Sequence, residues 1–175
     1  MRARLRMPAE IRDEKSRRIV EALRAHEPFS RAKMLGLFHP MLEEPDVSLV
    51  WKNFAGRIAY PRVAGEALVF YEVRSPDDLF AADWHPKIRE PAHDHLRIIA
   101  PAQLDAILIP GIAFTRDGHR LGRGGGFYDR LLAQLPSGSA RIGVCFDVQL
   151  ADELPREIHD QPVDAVVTER GVQTT

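Results

Sequence analysis

Cysteine occurs once in this 175-residue chain, at Cys145. One thiol can form neither an intrachain disulfide nor a thiolate metal cluster, so a packed core must hold the fold. It sits in the apolar run "IGVCF" with no flanking base or cation, which marks a buried, inert side chain rather than a nucleophile. Long apolar runs are missing as well. None approaches the ~20 residues that span a bilayer, and the basic N-terminus lacks the apolar stretch of a secretory signal. Net charge is only -1, so no global field draws the molecule onto nucleic acid or a membrane. No aromatic residue precedes Phe29 in the basic N-terminal stretch, which argues against a base-stacking surface there. No internal repeat or low-complexity segment is evident. These absences predict a cytoplasmic protein with no nucleic-acid or membrane partner; they leave the oligomeric state open, a monomer being the favoured reading.

What is present fits one globular domain spanning residues 1–175, with 45% hydrophobic and 28% charged residues. Charge is unevenly placed. Residues 1–33 hold ten Lys/Arg against five Asp/Glu, and residues 147–175 hold two against seven. Such ends can be solvated faces, or an anion-binding and a cation-binding wall of one site.

Hydrophobic patterning predicts a helix over "PAEIRDEKSRRIVEALRAH", with Pro8 in its first turn and a stripe of Ile11, Ile19, Ala22 and Leu23. "KMLGLF" reads as a buried strand, and "PDVSLVWKNFAG" as a helix closed by Gly56. "RIAYPRV" and "ALVFYEV" read as strands around a turn at Ala64, Gly65 and Glu66. Residues 75–104, broken by Pro76, Pro86, Pro91 and Pro101, read as irregular surface chain. "DAILIPG", "ARIGVCF" and "DAVVTE" are further buried strands. Continuous apolar strands alternating with helices indicate an α/β fold, its largely parallel sheet covered on both faces.

The densest motif is "RLGRGGGFYDRLL", between a buried strand and a helix. Glycines let consecutive N–H groups converge on one ligand and keep Cβ atoms out of the way. Arg120 and Arg123 supply donors suited to phosphate oxygens. No Lys-Ser or Lys-Thr follows the glycines, so this is not a Walker A loop, and the spacing is not that of a dinucleotide fingerprint. Asp129 would repel a phosphate unless a divalent cation lay between them. Mg2+ commonly bridges carboxylates and nucleotide phosphates. The run therefore favours a magnesium nucleotide over free phosphate, the plain alternative being a glycine-rich turn with exposed arginines.

Other candidates are less specific. His159 and Asp160 could form an acid/base pair, but neighbours in extended chain point apart, and a surface or capping role suits His159. Asp164 begins a buried strand and could place a second magnesium contact at a sheet end. Glu43, Glu44 and Asp46 lie between a strand and a helix, where Asp46 or Ser48 suits a helix cap. His85, His93, Asp94 and His95 lack the helical spacing of a zinc pair.

The stretch "IPGIAFTRDGHRLGRGGGFYDRLL" closely resembles the signature of the 5-formyltetrahydrofolate cyclo-ligase family, also called 5,10-methenyltetrahydrofolate synthetases. "IGVCFDVQLADELPREIHDQPVDAVVTE" resembles the family's C-terminal segment. "IREP" resembles its short EP element, "EEPDV" its Glu-Val-Asp-Thr element, and "RLRMPAEIRDEKSRRI" its second helix. The resemblance implies a three-layer α/β/α sandwich with a largely parallel central sheet. It also implies conversion of 5-formyltetrahydrofolate to 5,10-methenyltetrahydrofolate with ATP and Mg2+, releasing ADP and phosphate.

By the same resemblance Arg120, Leu121, Gly122, Arg123, Gly124, Gly125, Gly126, Phe127, Tyr128 and Asp129 bind ATP. Arg120, Tyr128 and Asp129 act in catalysis. Glu44 and Tyr128 contact the folate, a one-residue shift nominating Glu43 instead, and Asp129 and Asp164 hold magnesium. The family's N-terminal Lys-x-x-x-Arg phosphate grip has two registers here. Either Arg2 and Arg6 fill it, or "RLRMPAEIR" aligns with the second helix and Arg2, Arg4 or Arg6 must substitute. The second register carries an alternative, a catalytically impaired nucleotide- and folate-binding relative. A sugar-phosphate isomerase would use His159 or Glu44 as a base and need no Mg2+.

Overall fold

A computed structural model describes residues 7–92 and 96–175. Arg2, Arg4, Arg6, His93, Asp94 and His95 lie outside the described residues. Among the described residues there are three α-helices, α1 (Ala9–Ala25), α2 (Glu27–Ser30) and α3 (Phe127–Leu132). The first strands are β1 (Met34–Gly36), β2 (Arg57–Ala64), β3 (Ala67–Val73), β4 (Leu79–Ala82), β5 (His85–Pro91), β6 (Ile98–Ile99) and β7 (Ala106–Ile109). The rest are β8 (Ala113–Thr115), β9 (Arg120–Leu121), β10 (Ala140–Val144), β11 (Leu150–Ala151), β12 (Ala165–Thr168) and β13 (Gly171–Thr174).

The main sheet runs in the order β13-β12-β10-β7-β1-β2-β3-β6. The five strands from β12 to β2 are mutually parallel, and β13, β3 and β6 pair antiparallel at the flanks. Strand β7 lies mid-sheet and all four of its residues are buried, which is why its sequence is uniformly apolar.

Alternation along the strands splits the core in two. Leu35, Ala106, Leu108, Ile142, Val144 and Val167 face α1 through its Ile19, Val20 and Leu23. Met34, Ile107, Ile109 and Val166 face the other way, onto Phe114 and onto Leu131 and Leu132 of α3. The result is a layer of helix on each side of a mostly parallel sheet, the α/β sandwich expected from the sequence.

Three local expectations change. The inward stripe of α1 is Ser16, Ile19, Val20 and Leu23, whereas Ile11 is 43% exposed. The segment after Asp46 is a 3-10 turn, Val47–Lys52, not a helix closed by Gly56. Its buried anchors Val47 and Val50 stand three residues apart, the 3-10 repeat, and both are β-branched. Asp46 caps it as expected, accepting the Ser48 N–H at 3.0 Å.

Residues 75–104 are also less irregular than their prolines suggest. They contain the hairpin β4–β5 and strand β6. Pro76 and Pro101 each open a 3-10 turn, Pro91 ends β5, and Pro86 lies in a two-stranded ribbon where one side of each strand is unpaired.

Candidate active site

The parallel strands deliver their C-terminal ends to one edge of the sheet, where ligands of α/β folds bind. A cavity of about 520 Å³ lies there. Strand β1 leads into Phe38, His39, Met41 and Glu44, and β7 into Pro110 and Gly111. The β8–β9 hairpin leads into the glycine loop, with residues 120–130 along one wall. The opposite wall comes from Pro61, Val63 and Leu68 of β2–β3 and from Trp84, Ile88, Arg89 and Glu90 of β4–β5. Pro61 can sit in β2 because β1 pairs only with Arg57, Ile58 and Ala59, so beyond them β2 has a free side.

Two glycines in the loop have conformations that L side chains rarely adopt, Gly124 at φ 90° and Gly126 at φ 62°. Gly125 is required for a different reason: a Cβ there would lie 2.8 Å from the Phe127 ring. Arg130 pins the loop from behind. Its Nη2 donates to the Gly125 carbonyl at 2.8 Å and its Nε to the Glu66 carbonyl at 2.7 Å.

Arg120 Nη2 donates to Asp129 Oδ1 at 2.6 Å, with the arginine side chain only 5% exposed. Arg120 Nε is buried and unpaired among the described residues, and the guanidinium carbon lies 5.8 Å from the centre of the Tyr128 ring. Asp129 Oδ1 also accepts the Gln161 N–H at 3.3 Å. Burial pushes the Tyr128 phenol well up, helped by the charge of Glu44, so the hydroxyl stays protonated.

Across the cavity Arg123 Nη2 donates to Glu44 Oε1 at 3.3 Å and lies 3.9 Å from Glu43 Oε2. Glu44 is the buried member, 5% exposed, and its Oε2 accepts the Met41 N–H at 2.8 Å. Burial raises its pKa, while that N–H and Arg123 pull the other way. Of the two neighbouring glutamates, Glu44 is the one that lines the cavity.

The structure thus gathers Glu44 and residues 120–129, including Leu121, Gly122 and Phe127, around one space. It does not bring Asp164 there. That residue precedes β12 at the N-terminal end of the parallel strands, where its carboxylate accepts the Arg141 N–H at 2.8 Å. His159, assigned to the surface, is exposed but borders the cavity with Asp160. His85 is on the outer ribbon.

Sequence reasoning missed His39, Trp84, Arg89, Glu90 and Arg130. Arg89 and Glu90 lay in the "IREP" element and Arg130 in the glycine motif, whereas His39 and Trp84 had no signal. Glu90 is 5% exposed, and its Oε1 accepts the Val63 N–H at 3.1 Å and the Trp84 indole N–H at 2.8 Å. Such a site can hold a polyanion on the glycine wall, a divalent cation at Asp129 and a flat polar ring at Glu44.

Comparison with known proteins gives one consistent answer. Residues 1–169 match the model of the 5-formyltetrahydrofolate cyclo-ligase family. A protein of Mycolicibacterium smegmatis named 5-formyltetrahydrofolate cyclo-ligase is 41% identical over 55% of this chain. The matched stretch spans half the length of that relative. The mouse protein of the same name is 28% identical over 97% of this chain and 90% of its own length. The solution structure of Aquifex aeolicus 5,10-methenyltetrahydrofolate synthetase superposes with a TM-score of 0.84 at 31% identity, over 98% of this chain and 86% of that one.

Proposed function

Because the chain belongs to the 5-formyltetrahydrofolate cyclo-ligase family, we propose that it converts 5-formyltetrahydrofolate to 5,10-methenyltetrahydrofolate at the expense of ATP. The observation that carries this reading is the shared cavity. The arginine–glycine loop and the buried Glu44 meet across it, 3.3 Å apart through Arg123. One space can therefore take a nucleotide and a folate side by side.

The chemistry asks little covalent work of the protein. The formyl oxygen attacks the γ-phosphorus and ADP leaves. The N10 amine then adds to the activated formyl carbon, loses its proton, and phosphate departs with the C–O bond. Rate enhancement comes from positioning and charge stabilisation. Gly122 to Gly126 supply backbone donors without Cβ obstruction, and Arg120 and Arg123 neutralise phosphate charge. Asp129, already oriented by Arg120 and the Gln161 N–H, would hold Mg2+, which screens the phosphates when bound. Glu44 accepts hydrogen bonds from the N–H edge of the pteridine, and the half-buried Tyr128 closes over the reacting atoms. The lone cysteine suits a cytoplasmic setting.

The test mixes the purified protein with 5-formyltetrahydrofolate, ATP and Mg2+ and follows the long-wavelength absorbance of the methenyl product. A rise that requires all three supports the reading. Nucleotide binding without any product overturns it in favour of a binding relative, and turnover of another phosphorylated substrate without Mg2+ overturns it altogether.

A further inference from the structure

Helix α1 turns one polar side chain inward. Its buried stripe is Ser16, Ile19, Val20 and Leu23, and Ser16 is 0% exposed. Alanine would fill that position with better helix propensity and no buried hydroxyl, so the oxygen has to serve something beyond the helix.

The hydroxyl donates to the Arg12 carbonyl one turn back, at 2.7 Å, and its lone pairs accept the Asp46 N–H at 3.0 Å. Arg12 stands on the same face of α1, and its Nε donates to the Glu44 carbonyl at 3.3 Å. One helix face thus grips the backbone of residues 44 and 46. Neither Arg12 nor Ser16 lines the cavity.

Glu44 has need of such a grip. It lies between β1 and the 3-10 turn at Val47–Lys52, in a stretch without regular structure. Its own N–H donates to the Met41 carbonyl at 3.0 Å and its Oε2 accepts the Met41 N–H at 2.8 Å, which ties the turn only to itself. Leu42 within that turn is 74% exposed, so packing does not fix it on that side. The bonds from α1 hold the backbone on either side of Pro45 to the body of the protein. The helix is in turn anchored to the sheet, since Lys15 pairs with Glu169 just after β12.

We propose that Ser16 and Arg12 are positioning residues for the substrate: from outside the cavity they set the backbone of residues 44–46, and with it the aim of the Glu44 carboxylate. The inference rests on the folate reading of this site. Without the grip, the carboxylate has to be ordered when the folate binds, at a cost in affinity, while the glycine wall is unaltered.

Ser16→Ala should lower kcat/KM for 5-formyltetrahydrofolate about fivefold, chiefly through KM, and leave the KM for ATP within about twofold of wild type. Arg12→Ala, at a partly exposed position, should act in the same direction. Double variants separate positioning from loosened packing. Glu44→Ala leaves no carboxylate to aim, so adding Ser16→Ala or Arg12→Ala to it should change kcat/KM by less than about twofold. Circular dichroism and a melting curve for each variant establish its fold.

A wild-type kcat/KM in Ser16→Ala overturns the proposal, and so does one in Arg12→Ala. An undiminished fall in the Glu44→Ala background overturns it as well, as does an equal rise in both KM values. If Ser16→Ala does not fold, the Arg12 variants decide. A wild-type protein that neither binds nor converts the folate removes the folate reading and this proposal together, whereas a working enzyme indifferent to Ser16 and Arg12 removes the proposal alone.

Discussion

Arg123 in the glycine loop and Glu44 in the segment after β1 meet at 3.3 Å across the cavity, although 79 residues separate them in the chain. The guanidinium is half exposed and the carboxylate buried, so the pair couples a solvent-accessible donor to a buried acceptor. This contact joins the glycine-loop wall of the cavity to the wall that carries Glu44, and its consequences can be measured.

Glu44→Gln should separate stability from binding. Burial raises the Glu44 pKa from its ordinary 4.5, so the native state holds this proton more tightly than the unfolded chain. The contribution of this group to stability is therefore greatest below 4.5 and declines as pH rises through the raised folded value. Glutamine lacks that decline. The melting temperature of Glu44→Gln relative to wild type should increase over this window and then level off, as calorimetry at stepped pH would show. Folate affinity should move oppositely, weakening in wild type as the carboxylate is protonated. The variant should bind about tenfold or more weakly at neutral pH.

Asp129→Asn keeps the shape of the side chain and removes its charge beside a nearly buried Arg120. Product formation should fall by roughly a hundredfold or more while the protein remains folded. Circular dichroism and a melting curve would establish the fold. A stable, fully active variant would take Asp129 out of the chemistry.

Gly124→Ala and Gly125→Val should fail differently. At Gly124 a Cβ meets nothing within 4 Å, so the φ of 90° alone opposes it, at about 1–2 kcal/mol. At Gly125 the backbone tolerates a side chain but the Phe127 ring does not. Gly124→Ala should lower the melting temperature through backbone strain, with Phe127 undisplaced. Gly125→Val should displace Phe127 and abolish the heat of ATP binding in a titration.

Cys145 should be unreactive in the native protein. It is fully buried, and burial pushes its thiol pKa far up, with Glu169 and Asp147 adding to the effect. A disulfide reagent should modify it only in denaturant. Prompt labelling under native conditions would show that the sheet opens at β10.

The parts legible in the sequence share a local cause. Strand β7, residues 142–144 of β10 and residues 165–167 of β12 are buried on both faces, so each is written as an apolar run that needs no context to read. The glycine loop is equally local, since Gly124 and Gly126 have positive φ and residues 120–129 adjoin in the chain. Long-range relations left weaker marks. Trp84 and Glu90 lie in a proline-interrupted stretch whose strands pair only with each other, so no apolar alternation announced them. Asp164 illustrates the converse. Its place before a strand was legible, but which end of the sheet that strand starts from depends on β10 and β12 running parallel.

The sequence by itself determined the α/β layering, the buried strands, the glycine-rich loop and the family resemblance, because each depends on the period or spacing of neighbouring residues. Only the tertiary structure decided that Glu44 rather than Glu43 faces the cavity, that Arg123 spans it, that Asp164 stands apart from Asp129, and that Trp84 lines the cavity. Those outcomes depend on strand order and parallel register, which set distances between residues far apart in the chain and which no local pattern encodes.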